Sequence, residues 1–402
     1  MRQRIAVVGG GPAGLTFARV LHHHDHPVTV LERDPAPDAR PPGGTLDLHE
    51  GMGQLALAKA GLLAEFQALS RPEGQAMRIL DVDGTVLRDW PARPDDRAHP
   101  EIDRGQLRDL LLGPLDVQWG RGVAEVVPGT GDGVLVRFAD GREETFDLVV
   151  GADGAWSRVR RAVSPATPHY TGITLVETSL DDVDTRHPGL ARLVGDGSVA
   201  VYGVNRAFVA QRNSGGHVKV YAQFRAPLDW HAGLDWADAE AVRSSLLTLY
   251  DGWTAPVLDF LHHGTAFVHR PLYVLPVAHT WAHVPGVTLL GDAAHLMPPL
   301  GWARTSRCWE APNSPRPSPP PPASWTRPSV PSRNACGHGP PGGGRWRRPV
   351  WNASSARTLA RPSPSSTRFS RPDQQPRPSK TLQRVIGLAY SSVCTMRPFF
   401  HA

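Results

Sequence analysis

The feature that most constrains this chain lies close to its N-terminus, where Ile5-Ala6-Val7-Val8 breaks into Gly9-Gly10-Gly11-Pro12-Ala13-Gly14. A helical pattern follows through Leu15, Phe17, Ala18 and Leu21. A second apolar run, Val28-Thr29-Val30-Leu31, ends in Glu32-Arg33. Strand, glycine turn, helix, strand and acid is the order that a dinucleotide site requires. Gly9 permits the tight turn, Gly11 lets backbone approach a pyrophosphate, and Gly14 lets the helix pack close to the sheet. Pro12 and Ala13 open that helix, whose N–H groups and positive dipole end suit phosphate. Glu32 lies 18 residues after Gly14, near the spacing for a carboxylate that accepts from ribose hydroxyls. An ordinary glycine-rich turn is the competing reading. His22-His23-His24-Asp25-His26 falls where this helix should end and lacks the spacing of a metal site, so no metal is expected.

Further along, Arg40-Pro41-Pro42-Gly43-Gly44-Thr45-Leu46-Asp47-Leu48-His49 reads as a loop leading into a helix around Met52–Leu63. Ala76–Leu80 and Val86–Arg88 flank the turn Asp81-Val82-Asp83-Gly84 as a hairpin. Pro100-Glu101-Ile102-Asp103-Arg104 opens a helix through Leu107, Leu110 and Leu111, with Asp103 as its N-cap. Strands are expected at Gly133–Phe138 and Glu144–Val150. The second runs into Gly151-Ala152-Asp153-Gly154, presenting backbone and a carboxylate at a sheet edge just before a helix start. From Thr171 to about Phe267 the pattern is strand-rich, a meander with one covered face, followed by a helix over Ala239–Leu249. Val287-Thr288-Leu289-Leu290 is one more buried strand, delivering Gly291-Asp292 at its end.

Composition changes abruptly after Leu300. Residues 301–402 carry 18 of the 40 prolines, five of the 12 tryptophans and all three cysteines. Their net charge is +14, which leaves −9 for residues 1–300 against +5 for the whole chain. The basic balance is thus a property of the tail, and no specific nucleic-acid partner is expected for the ordered part. The chain runs from Met1 straight into its first strand without a signal pattern, and no apolar run spans a bilayer. A cytoplasmic monomer with no membrane span is the expectation.

The Gly9–Gly14 turn with Glu32, the Asp153-Gly154 element and the Gly291-Asp292 element, in that order, resemble the FAD-dependent aromatic hydroxylase class of monooxygenases. Gly43–His49, Pro100–Arg104 and Gly291-Asp292-Ala293-Ala294-His295-Leu296-Met297-Pro298-Pro299 look like the corresponding stretches of the TetX-type, tetracycline-inactivating members. The likeness covers about residues 4–300. It implies an α/β fold, with a discontinuous Rossmann-type FAD-binding domain (1–75, 98–170 and 270–301) and an inserted β-sheet substrate domain (76–97 and 171–269). By the same resemblance Glu32 binds the adenosine ribose of FAD, with Arg33 beside it. Asp47 and Arg104 contact the flavin cofactor, Asp292 meets its ribityl and pyrophosphate portion between Gly291 and Pro299, and Arg40 matches a residue associated with NADPH. Asp153 and Gly154 are associated with both FAD and NADPH.

The implied reaction uses NADPH and O2 to hydroxylate a polycyclic or aromatic small molecule through a flavin C4a-hydroperoxide. The flavin carries that chemistry, so no catalytic side chain is demanded. The sheet from Val199 to Phe224 should line the substrate pocket, with Gln211, Tyr221 and Gln223 facing either that pocket or solvent. Two alternatives stand beside this reading: a flavin-dependent reductase that does not use O2, and an inactive product of a shifted reading frame. The last follows from residues 302–402. Taken as they stand they are a disordered basic Pro/Arg/Ser extension, a class that five tryptophans and three cysteines fit poorly. Reading the coding bases one position earlier forces glycine from Trp302-Ala303, leucine from Cys308-Trp309 and glycine from Trp309-Glu310. The free positions permit Val-Gly-Ala-Asn-Leu-Ala-Met-Leu-Gly-Gly-Ala-Glu-Leu-Ala, a helix opening that the resemblance places right after Gly291–Pro299.

Overall fold

A computed structural model describes residues 3–297, apart from 41–42, 94, 130–132 and 278, together with Val385. The chain begins β1 (Ile5–Val8), α1 (Pro12–His23), β2 (Thr29–Leu31), β3 (Thr45–Asp47), α2 (Gly53–Lys59) and α3 (Leu63–Leu69). It continues through β4 (Met77–Leu80), β5 (Val86–Trp90), β6 (Glu101–Asp103), α4 (Arg104–Leu112), β7 (Asp116–Gln118), β8 (Val123–Val127) and β9 (Val134–Phe138). Next come β10 (Glu143–Phe146), β11 (Leu148–Gly151), β12 (His169–Leu180), α5 (Val183–Arg186), α6 (Pro188–Val194), β13 (Ser198–Gly203) and β14 (Arg206–Arg212). The described part closes with β15 (Val218–Arg225), α7 (Ala239–Leu249), α8 (Ala255–His263), β16 (Val268–Val274), β17 (Val287–Leu289) and α9 (Gly291–His295).

The first layer is a five-stranded parallel sheet in the order β17-β11-β1-β2-β7. Alternation along β1 decides its two faces. Ile5 and Val7 point into a core with Leu15, Phe17 and Leu21 of α1 and Leu107 and Leu111 of α4. Ala6 and Val8 point the other way, into a core roofed by Val134, Val136 and Phe146 of the antiparallel sheet β10-β9-β8. The seven-stranded sheet β16-β12-β15-β14-β13-β4-β5 forms a second layer. One of its faces packs Val176, Val199, Phe208 and Phe224 under Val242, Leu246 and Phe260 of α7 and α8. Buried Tyr250 reaches across with its hydroxyl 2.8 Å from the Gln223 carbonyl. The other face carries Met77, Leu175, Ala200, Val209 and Tyr221.

Several local expectations need correction. The helix expected over Met52–Leu63 is two short helices, because Gly61 takes a left-handed φ of 71° and the chain turns there. The strand expected at Glu144–Val150 is split between β10 and β11. Asp147 marks the break, its carboxylate taking the Arg4 N–H at 2.6 Å. The helix expected after Asp153-Gly154 is a single 3-10 turn, Val159–Ala162. Asp103 does precede α4, but its side chain caps nothing there. It accepts instead from Arg71 and from Ser214 N–H, the second at 3.1 Å. Of the tail 302–402 only Val385 is described, buried in the core of the parallel sheet; the expectations for the rest, and for Pro299, lie outside the described residues.

Candidate functional site

The glycine turn forms because its neighbours leave no room for side chains. At Gly14, an added Cβ would lie 2.1 Å from the Gly9 carbonyl oxygen; at Gly9, with φ 109°, it would lie 2.4 Å from the Ala152 carbonyl oxygen. At Gly11 it would meet nothing within 4 Å. The turn is therefore tight beneath and open above, directly at the start of α1. Pro12 occupies the first helical position, where its missing N–H costs nothing, and no side chain caps the Gly11 end. The remaining N–H groups there suit an anion. Glu32 closes the side of the turn: nearly buried, it accepts from Gly10 N–H at 2.5 Å and Asp34 N–H at 3.0 Å.

The three motif elements converge. Ala152 N–H bonds the Val8 carbonyl at 2.7 Å, which sets the Asp153 element against the first turn. Leu290 N–H bonds the Gly151 carbonyl at 2.7 Å, and an added Cβ on Gly291 would come 2.8 Å from Ala13. Gly291 takes φ 54°, a second reason that no larger residue stands there. The Asp153 carboxylate is turned inward: it accepts from the Ser157 hydroxyl at 2.5 Å and from Arg158 N–H at 2.6 Å, fixing the loop in which half-buried Gly154 takes φ 77° beside open space. Asp292 is exposed in the first turn of α9.

The remaining predicted residues divide. Arg33 is exposed, and Arg40 pairs with Asp34 at 2.6 Å while lying 3.9 Å from Glu32. Arg104 sits at the start of α4 with its Cδ 2.7 Å from the Cβ that Gly43 lacks. Asp47 is different: its side chain has no exposed surface, and His49 Nε2 lies 3.0 Å from its carboxylate. Gln211 and Tyr221 are buried beneath Gly44, where a Cβ would strike the Tyr221 hydroxyl; burial pushes that phenol well above its ordinary pKa. Gln223 is half-buried. Sequence reasoning assigned no role to Arg160, which is 3% exposed and donates to the Ala293 carbonyl at 3.0 Å and the Ala155 carbonyl at 2.5 Å. Burial lowers its pKa.

The donor set fits a dinucleotide: an uncapped helix start over a glycine turn, and a carboxylate at the end of the neighbouring strand. Comparison with known proteins points the same way. The signature described as FAD binding domain matches residues 2–302. Monooxygenase penA of Penicillium thymicola is 32% identical over 350 residues, covering 74% of this chain and 80% of the relative. Among solved structures, Klebsiella pneumoniae HpxO complexed with FAD and uric acid superposes with a TM-score of 0.61 at 22% identity, over 74% of this chain and 74% of that one. Tetracycline destructase Tet(51) gives 0.53 at 21% identity, over 74% of this chain and 76% of that one. At such identities the structural likenesses carry the fold alone.

Proposed function

The chain belongs to the FAD-binding-domain family and is 32% identical to two monooxygenases of it, and from that premise we propose an FAD-dependent, NADPH-consuming monooxygenase that hydroxylates a polycyclic or aromatic, tetracycline-like small molecule. The observation that carries the reading is the convergence of Ala152–Gly154 on Gly9 and of Gly291 on Ala13 around one open helix start. On this reading Gly9, Gly11, Pro12, Ala13 and Gly14 hold the FAD pyrophosphate against the N–H groups of α1, and Glu32 accepts from the adenosine ribose. Arg104 lies along the flavin, with Asp47 behind it. Gly291 and Asp292 meet the ribityl and pyrophosphate portion, and Gly154 offers backbone to FAD and NADPH alike. Arg33 and Arg40 present guanidinium groups beside Glu32, where a reductant's phosphate needs cations. When bound, FAD supplies hydride acceptance and O2 activation; the chain's own residues hold it, orient the substrate and exclude water. The tetracycline-like substrate rests on the motif resemblance at Gly43–His49, Pro100–Arg104 and Gly291–Pro299.

The test is the absorbance spectrum of the purified full-length chain, followed by NADPH with and without isotopically labelled O2. Bound flavin that NADPH bleaches, with label entering the product, supports the reading. Colourless protein overturns it, and bleaching without labelled product turns it into the reductase. A second reading is favoured by one observation: the family match stops at residue 302, where the composition changes. We infer that residues from about Trp302 are translated out of frame, so that this chain takes up FAD weakly and hydroxylates poorly. Resequencing the coding region checks it; an intact frame with the present codons overturns it.

A further inference from the structure

Strands β3 and β6 form a two-stranded ribbon of their own, with Thr45, Leu46 and Asp47 opposite Asp103, Ile102 and Glu101. Leu48 N–H to the Pro100 carbonyl and Glu50 N–H to the Ala98 carbonyl extend the pairing, and His49 stacks on His99 with ring centroids 5.1 Å apart. Side chains alternate across such a ribbon. Leu46, Leu48 and Ile102 enter the core of the parallel sheet. The opposite side carries Thr45, Asp47 and His49 facing Asp103, Glu101 and His99. Asp47 and Glu101, directly across from one another, are 1% and 5% exposed.

Burying carboxylates is costly unless each is hydrogen-bonded. Here each has a partner. His49 Nε2 lies 3.0 Å from Asp47, the Thr45 hydroxyl donates to Glu101 at 2.7 Å, and Asp103 accepts from Arg71 and Ser214 N–H. A carboxylate only accepts, so Nε2 carries the proton that joins His49 to Asp47. The ribbon ends on two residues that matter to the site. Arg104 N–H bonds the Gly44 carbonyl at 3.1 Å, and the Arg104 side chain lies against Gly43.

We propose that His49 is a positioning residue for the flavin. It holds the buried Asp47 carboxylate from its own strand while its ring stacks across the ribbon on His99, and together with the Thr45–Glu101 hydrogen bond this fixes the ribbon that places Gly44 and Arg104. The inference rests on the flavoprotein reading above, and it deepens it: Asp47, with its side chain wholly buried, acts from behind the backbone and not by touching a ligand. A slip by one residue would turn Leu46 and Leu48 toward the polar side, so the register is worth pinning.

The experiment titrates FAD into the full-length chain and follows quenching of flavin fluorescence, for wild type, His49→Phe, His49→Asn, Asp47→Asn and the His49→Phe/Asp47→Asn double variant. Loss of one charge-assisted hydrogen bond should weaken FAD affinity about tenfold in His49→Phe. His49→Asn keeps an N–H donor and should recover to within about threefold of wild type. The double variant should bind no worse than the weaker single one, because both remove the same contact. Wild-type affinity in His49→Phe, equal losses in the Phe and Asn variants, or losses that multiply in the double variant would each overturn the proposal. A wild-type chain that takes up no FAD instead sinks the flavoprotein reading and this role with it.

Discussion

The guanidinium of Arg160 donates to the Ala293 carbonyl at 3.0 Å, joining two motif elements 133 residues apart. Its other donors go to the Ala155 and Ala166 carbonyls. The same side chain thus ties the Asp153 loop to α9. Replacing it with methionine keeps much of the volume but leaves buried carbonyls unpaired. Arg160→Met should cost about 3 kcal/mol, the upper end for one buried hydrogen bond to a charged donor, with the two partly exposed ones adding little. Urea unfolding of the full-length chain measures it; an unchanged midpoint would show that these carbonyls find other donors.

Gly11 and Gly14 offer a contrast within one turn. A Cβ at Gly14 would lie 2.1 Å from the Gly9 carbonyl oxygen, whereas one at Gly11 meets nothing within 4 Å. Gly14→Ala should therefore destabilise the fold by about 1–3 kcal/mol, the cost of overpacking. Gly11→Ala should leave stability within about 0.5 kcal/mol. It should nevertheless weaken FAD binding about tenfold, since the methyl group fills the space that the pyrophosphate needs. Thermal unfolding and FAD titration on the same two variants separate the effects. Equal FAD affinity in Gly11→Ala and wild type would move the cofactor away from this turn.

Two histidine pairs, one tilted and one stacked, should make the layer of the seven-stranded sheet acid-sensitive. His187 packs on His263 with centroids 4.1 Å apart, and His231 on His269 at 4.5 Å. Burial lowers the pKa of His187, helped by His263 and Arg186; burial also lowers that of His269, helped by His231. The folded protein then binds fewer protons than the unfolded chain. The stability these groups contribute is full above the unfolded value of about 6.5 and is lost as pH falls from there through the lowered folded values. The urea midpoint should drop between pH of about 7 and 5, and His187→Phe, which keeps an aromatic ring against His263, should flatten the drop. An identical slope in that variant would assign the acid sensitivity to other groups.

The glycine turn and the acid after it were legible because they are local: strand, turn, helix and Glu32 follow one another, and each glycine answers to one steric demand. The meeting of Gly291 with Ala13 was not legible in any pattern of the residues; the resemblance gave only the order of the elements, and the fold brings the two together. The polar side of the β3–β6 ribbon was not legible. Thr45, Asp47 and His49 alternate with leucines, but a three-residue strand looks like loop until its partner at 99–103 is known. The misplaced cap at Asp103 has the same cause. A carboxylate before a helix reads as a cap, and only the fold brings Arg71 and Ser214 N–H to compete for it. Arg160 was hidden for the opposite reason. An arginine among arginines (Arg158, Arg160, Arg161) reads as solvated charge, and only the carbonyl of Ala293 distinguishes it.

The reading frame gives the last prediction. Residues 1–300 carry the Gly9–Gly14, Asp153 and Gly291 elements, and the family match ends at 302. If the bases after that point are read one position earlier, the next residues permit a helix opening, and on the flavoprotein reading its first N–H groups would face the cofactor. A helix start stabilises negative charge within its first turn, and reduced flavin carries such charge. Restoring the frame by one added base should therefore strengthen FAD binding about tenfold or more over the present chain. It should also raise the reduction potential of bound flavin, because the helix start favours the reduced anion. Dye-linked potentiometry and FAD titration on the two proteins decide the matter. Equal affinity and equal potential would mean that the present residues after 302 already serve the cofactor.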